Sequence, residues 1–285
     1  MAHTNDNYAG PTKPLTLAID IGGSHLKAAV LNASGKISTG PLRVETPKPA
    51  TPDAVAAALV SLSQQLGQFD RVSIGFPGVV KADFVLTAPN LGTKEWHGFR
   101  LGAVLAEALG KPVRMLNDAS IQGLGVITGR GLECVLTMGT GMGFALFQDG
   151  QIAPHLELSQ HPVRKRKTYD EYVGEAALES VGRWRWNKRV HKIISILETV
   201  ITYDMLYIGG GNARLIEPPL PANVKTVSNM AGITGGVRLW DRRMGHAFAE
   251  QPLAFAYFRS YGAHRNCCHA KETLHIEISQ RSPIK

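Results

Sequence analysis

A chain of 285 residues with 44% hydrophobic side chains can bury more than one sizeable core, and its length favours about two domains. It holds no apolar run of about 18 residues, and Met1-Ala2-His3-Thr4-Asn5-Asp6-Asn7 lacks the basic-then-apolar order of a secretory signal, so a soluble cytoplasmic protein without membrane contact is expected. The net charge of +8 is localised, with nine basic residues against four acidic between Arg164 and Lys192 and seven against three from 242 onward, a field that attracts polyanions.

Apolar runs at Leu15–Ile19 and Lys27–Leu31 predict two strands joined by a glycine turn, and a third strand approaches Val44 after a turn at Asn32 to Gly35. Thr51-Pro52 supplies an N-cap and a first-turn proline to a helix whose Val55, Leu59, Leu62 and Leu66 recur at helical spacing. Strand Val72–Phe76 follows, broken by Pro77-Gly78, and a long polar loop from Thr87 to His97 leads to a helix over Leu101–Leu109 that Gly110 ends. The strand Val113–Leu116 runs into Asn117-Asp118 and a helix over Ala119–Ile127. A second meander spans Leu132 to Ile152, with the hairpin signal Asp149-Gly150. Two β-β-β-α-β-α halves are therefore visible, each opening with a glycine-rich turn.

Three stretches carry the chemistry. Asp20-Ile21-Gly22-Gly23-Ser24-His25-Leu26-Lys27 and Thr137-Met138-Gly139-Thr140-Gly141-Met142-Gly143 each place backbone N–H groups where phosphate oxygens can approach, because no Cβ intervenes and positive φ is allowed. Between them, Asp118 directly follows a hydrophobic strand, where it can accept a proton from an attacking hydroxyl. That set describes a phosphotransferase without a Walker loop. The plainer alternatives are a turn-forming Asp20 and an Asn117-Asp118 pair that only caps a helix.

In this order the elements resemble the actin-like sugar-kinase superfamily, and within it the repressor, open-reading-frame and kinase (ROK) family, most closely its polyphosphate glucokinases. The likeness covers roughly residues 14 to 240 and rests on Asp20, Gly22, Gly23, Ser24 and Lys27; on Gly75-Phe76-Pro77-Gly78; on Asn117 and Asp118; on Thr137, Gly139, Thr140, Gly141 and Gly143; and on Gly209, Gly210 and Gly211. The resemblance implies an α/β, actin-like (ribonuclease H-like) two-domain fold with a cleft between a smaller domain at 14–116 and a larger one at 117–240, and dimerisation. It implies phosphorylation of the glucose 6-hydroxyl, and of mannose as well, with inorganic polyphosphate or ATP as donor and Asp118 as general base. Gly22, Gly23, Ser24, Lys27, Thr137, Gly139, Thr140 and Gly141 would bind phosphate, Gly209–Gly211 would lie on the nucleotide side, and Asp20 would orient Mg²⁺ through water. Asn90, Asn117, Asp118 and Glu157 would meet sugar hydroxyls.

Two departures stand out. Where the family reads Glu-x-Gly-His, this chain reads Glu157-Leu158-Ser159-Gln160 and then His161, so either Gln160 or His161 is expected at the sugar. The Cys-rich zinc knuckle of many members is missing, and the basic stretch 164–192 occupies its place, as in polyphosphate glucokinases. Arg164-Lys165-Arg166-Lys167 reads either as a solvated loop or as a polyphosphate-binding lip. Trp96 and His97 read as packing residues rather than pocket walls. Cys134 reads as a small buried apolar residue, and three cysteines support neither a disulfide framework nor a four-ligand zinc site. The tail from Asp241, with Cys267, Cys268, His264 and His269, reads as a loosely ordered extension. No helix-turn-helix pattern precedes Asp20, so nucleic acid is not an expected partner. The competing functions are a sugar-binding or regulatory protein of this fold that has lost turnover, and an ATP-dependent kinase for another small substrate.

Overall fold

The computed structural model describes residues 13–241 except 82 and 229. The 242–285 tail, including its Cys and His residues, lies outside them.

Two five-stranded sheets of the same topology form the frame. In the first, β1 (Thr16–Ile21), β2 (His25–Leu31) and β3 (Ile37–Glu45) make an antiparallel meander. Helix α1 (Pro52–Gln64) then returns the chain to β4 (Arg71–Phe76), parallel to β1. The Thr51 hydroxyl caps α1 by accepting from Ala54 N–H, and Val55, Leu59 and Leu62 bury on the sheet, as their spacing predicts.

A small hairpin of β5 (Val80–Lys81) and β6 (Phe84–Val85) precedes a four-residue helix, α2 (Thr93–Trp96), inside the stretch expected to be loop. Trp96 is fully buried there against Phe76 and Phe99, which confirms it as a packing residue. Helix α3 (Leu101–Leu109) ends on left-handed Gly110, and β7 (Val113–Asn117) completes the sheet order β3-β2-β1-β4-β7.

Helix α4 (Asp118–Leu124) crosses to the second sheet, whose order β10-β9-β8-β13-β14 repeats the first. Here β8 (Leu132–Met138), β9 (Met142–Gln148) and β10 (Gln151–Ile152) are the meander. The hairpin β11 (Pro162–Arg164) and β12 (Lys167–Thr168), then α5 (Tyr169–Val173) and α6 (Glu175–Ile201), lead to β13 (Met205–Gly209) and β14 (Val224–Thr226), both parallel to β8. Trp186, Val190, Ile193, Ile194 and Leu197 line the buried stripe of α6.

The chain closes by returning to the first sheet. Helix α7 (Ala231–Thr234) and a 3₁₀ turn (Gly235–Trp240) pack there, with Ile233 buried among Ala18, Ala29 and Leu31. Trp240 Nε1 donates to Ser73 Oγ at 2.9 Å, and its ring carries the Arg114 guanidinium at 4.5 Å and that of Arg71 at 5.1 Å. Leu239 of the same 3₁₀ turn is buried with Val135, Phe147 and Tyr207 of the second sheet, so one closing segment touches both sheets, and the edges carrying the glycine turns line one cleft.

Candidate functional site

The first glycine turn joins β1 to β2. A Cβ on Gly22 would stand 2.9 Å from the His25 carbonyl oxygen, and one on Gly23 would stand 3.1 Å from Asn90 Cβ and 3.2 Å from its carbonyl oxygen. Close approach, not left-handed backbone, is therefore why these two are glycines. The second turn, between β8 and β9, is held by Asp170, which accepts from Met142 N–H and fills the space a Cβ on Gly141 would need. Gly210 is the position that does require φ above zero, at +86°, and its missing Cβ lets it lie against the Met138 backbone.

These turns border two adjoining cavities. The inner one, about 230 Å³, is lined by Asp20, Asn90, Asn117, Asp118, Glu157 and Ser159 among others. The outer one, about 880 Å³, extends past Ser24 toward Asn212 and Arg214. Gly22, Gly23, Lys27, Thr140, Gly210 and Gly211 line both and mark where they meet.

Asp118 stands half-buried on the inner wall at the start of α4. Asn117 is the cap of that helix: its Oδ1 accepts from Ala119 N–H at 3.0 Å, and its Nδ2 donates to the Gly78 carbonyl at 3.1 Å. Both ends of the Asn117 amide are thus engaged, which fixes the strand-to-helix turn and leaves the Asp118 carboxyl directed by its neighbour. Burial pushes the Asp118 carboxyl up to about 7, and the charges of Asp20 and Glu157 add to the shift against the Ala119 N–H that opposes it.

Glu157 shifts the other way. Burial works to raise it, but hydrogen bonds from His155 and Ser159 and the charge of His155 outweigh burial and hold the carboxylate below its ordinary range. His155 Nε2 lies 3.2 Å from Oε2, and the Ser159 hydroxyl donates to Oε1. Two carboxyls with opposite shifts in one cavity suit two roles: a proton acceptor poised near neutrality and a permanently charged acceptor of hydroxyl hydrogens.

Ser159 lines the inner cavity in this segment, and Gln160 and His161, the candidates read from sequence, line neither of these two cavities. Residues 158–160 form a 3₁₀ turn, so Gln160 points back to give its amide to Ser159 Oγ at 3.3 Å, while the His161 ring packs near Tyr169. His155, Ser159 and Asp170 were not singled out from sequence. The His155–Glu157 spacing on an extended segment, which puts both side chains on one side, was the available signal.

Of the two readings of the basic hairpin, the solvated loop is the one that fits its position. Arg164, Lys165, Arg166 and Lys167 line neither cavity. On α6, Arg183 pairs with Glu217 at 3.0 Å, Lys188 lies 3.6 Å over the Trp184 ring, and Arg189 donates to the Tyr172 carbonyl, so this stretch behaves as a solvated, locally paired face. The cations that do line the clefts are Lys27, Arg43 and Arg214, with the His25 ring beside Arg43.

For a divalent cation, Asp20 supplies one half-buried carboxylate on the inner cavity's wall, paired at 3.1 Å with Lys27, which lines both cavities. Among the described residues no group of three or more His, Cys, Asp or Glu is arranged so that it could hold a metal ion by itself. A single carboxylate beside phosphate-binding turns fits a hard ion that keeps its waters and takes other ligands from phosphate.

Two like half-sheets facing across a cleft, with a glycine turn from each and an aspartate between them, define an actin-like sugar-kinase fold. The chain belongs to the ROK family, whose model matches residues 16–154. It is 30% identical over 237 residues to the polyphosphate glucokinase of Mycobacterium leprae (strain TN), covering 76% of this chain and 72% of that one. To the polyphosphate glucokinase of Mycobacterium tuberculosis (strain H37Rv) it is 29% identical over 250 residues, covering 81% and 93%. The crystal structure of the inorganic polyphosphate/ATP-glucomannokinase from Arthrobacter sp. strain KM superposes with a TM-score of 0.72 at 28% identity, covering 79% of this chain and 97% of that one.

Proposed function

We propose that this protein transfers a phosphoryl group from inorganic polyphosphate or ATP to the 6-hydroxyl of glucose. The observation that carries the reading is the placement of Asp118, on the inner wall between the hydroxyl-binding groups Asn90 and Glu157 and the junction lined by both phosphate turns. The names of the relatives supply the substrates and fit this arrangement.

In this reading the sugar occupies the inner cavity, with Glu157 accepting from its hydroxyls, the Asn90 amide accepting or donating, and Ser159 completing the wall. Asp118 accepts the proton of the 6-hydroxyl as that oxygen bonds to the terminal phosphorus. The bond from that phosphorus to the bridging oxygen breaks, and its electron pair leaves with the shortened polyphosphate or ADP. The Gly22 and Gly139 N–H groups close their own turns on the His25 and Gly141 carbonyls, so the backbone N–H groups of Gly23, Ser24, Thr140 and Gly141, with Lys27, hold the terminal phosphate in line. Asp20 would hold Mg²⁺ through water, and the ion, when bound, neutralises charge on the phosphates. Asn117 positions Asp118 through its two backbone bonds, and its second amide N–H, on the wall of the inner cavity, remains available to a sugar hydroxyl.

The test is glucose 6-phosphate formation with Mg²⁺ and either donor, in the wild type and Asp118→Asn. Turnover in the wild type that is lost in the variant supports the reading. Glucose binding without product from either donor would instead favour a regulatory sugar-binding protein.

A further inference from the structure

The donor side of the cleft carries a charge arrangement that the inner site does not use. In the register of the first sheet, Asp20 on β1 faces Lys27 on β2, and Lys27 faces Arg43 on β3. The three side chains therefore form one row on one face, leading outward from the junction of the cavities at about 4.8 Å per strand. Asp20 neutralises Lys27. Arg43, directly opposite Lys27, adds a second positive charge where like charges repel. Its Nη2 lies 2.8 Å from His25 Nδ1, which must accept because a guanidinium only donates. Glu45 is the register partner of His25 but does not line the cavity. The other wall adds Arg214, and the carboxylate on the cavity wall is Glu175, at the start of α6.

The rest of the outer wall is small and polar: Ser24, Thr140, Asn212, Thr226 and Ser228, with Ala213 and Val227 the apolar side chains among the described residues. A base would look for flat apolar faces to stack on. A linear polyanion looks for spaced cations and hydroxyl or amide donors.

We propose that Arg43, with His25 beside it and Arg214 on the opposite wall, is a binding track for the outer phosphates of an inorganic polyphosphate chain whose terminal phosphate lies at Lys27. The proposal rests on the phosphotransferase reading above and assigns its donor preference to particular residues. It also relocates the polyanion site from the Arg164–Lys167 hairpin to the β2–β3 edge of the cleft.

The experiment measures binding of fluorescently labelled polyphosphate of defined length across a salt series, alongside glucose phosphorylation with polyphosphate and with ATP, for the wild type, Arg43→Gln, Arg43→Lys and Lys165→Gln/Arg166→Gln. Arg43→Gln should weaken polyphosphate binding about tenfold, the worth of one charge-assisted contact, and flatten the log–log salt slope by about one unit. Arg43→Lys should restore the slope, and the ratio of polyphosphate to ATP efficiency should fall in Arg43→Gln and recover in Arg43→Lys. Equal losses on both donors, no loss on either, or an equal flattening in the hairpin variant would overturn the track. A wild type that binds polyphosphate with this slope yet forms no glucose 6-phosphate would sink the catalytic reading and leave the track standing.

Discussion

His155 shares a hydrogen bond of 3.2 Å with Glu157, which stands on the wall of the inner cavity, and Ser159 closes the set by donating to the other carboxylate oxygen. Two groups thus hold one acceptor in place and keep it charged. Removing His155 frees Glu157 to rotate and raises its proton affinity, while the hydroxyl it would meet goes unpaired. An unpaired buried hydroxyl costs about 1–3 kcal/mol. His155→Ala should therefore raise KM for glucose roughly 5- to 100-fold and leave kcat within a few-fold. Steady-state kinetics with varied glucose at saturating donor checks this split.

Asp118→Asn should lower kcat by about 10² to 10⁴ while glucose affinity, measured by calorimetry, stays nearly unchanged. The same variant carries a stability prediction of opposite sense. A carboxyl whose folded value is raised to about 7 stabilises the fold fully only below its unfolded value near 4 and loses that contribution as pH rises through 7. Above pH 7 the wild type holds a charge that its enclosure disfavours. Asn removes it, so the variant should melt higher than the wild type at pH 8, and the gap should close toward pH 4.

The pH dependence of turnover follows from the same group. Below about pH 7 Asp118 is protonated and cannot accept the sugar proton, so kcat/KM for glucose should fall about tenfold per pH unit on the acid side. Glu157 is held below its ordinary range and should not add a second break near neutrality. A flat profile from pH 5.5 to 8 would exclude Asp118 as the base in the free enzyme.

Much of this was legible from residues whose spacing dictates their surroundings. The Thr51-Pro52 start, the Gly110 stop and the two glycine turns marked out the first half-sheet and the meander of the second, while the strands Met205–Gly209 and Val224–Thr226 that complete the second were not bounded from sequence. Asp118 was visible because a carboxylate directly after an apolar strand has little reason to be there. What was hidden depends on where chain segments far apart in sequence meet. Asp170 reaches Met142 across 28 residues, and the Asp20-Lys27-Arg43 row exists only once three strands are in register. Whether the Arg164–Lys167 charges form a solvated loop or a binding lip stayed open at that level, because charge along a sequence does not say which face of the fold will carry it; the hairpin lines neither cavity.

Trp240 shows how the closing segment supports the site from behind. Its ring lies between two guanidiniums that burial holds below their ordinary range, those of Arg71 and Arg114, and its N–H reaches Ser73 on β4. Ser73 in turn donates to the Gly236 carbonyl at 2.7 Å, so one polar stitch joins β4 to the 3₁₀ turn. Truncating the ring removes apolar burial and the cation contacts, and uncovers the two arginines. Trp240→Ala should cost about 3 kcal/mol in urea unfolding, and Trp240→Phe, which keeps the ring and loses the N–H, about 1 kcal/mol. Because α7 and the 3₁₀ turn tie the first sheet to the second, the Ala variant should also raise KM for the donor more than for glucose. The donor cavity is lined by both lobes, with Arg43 on one and Arg214 on the other, and loosening the tie changes its width. Equal rises in both KM values would mean that the closing segment stabilises the fold without setting the spacing of the lobes.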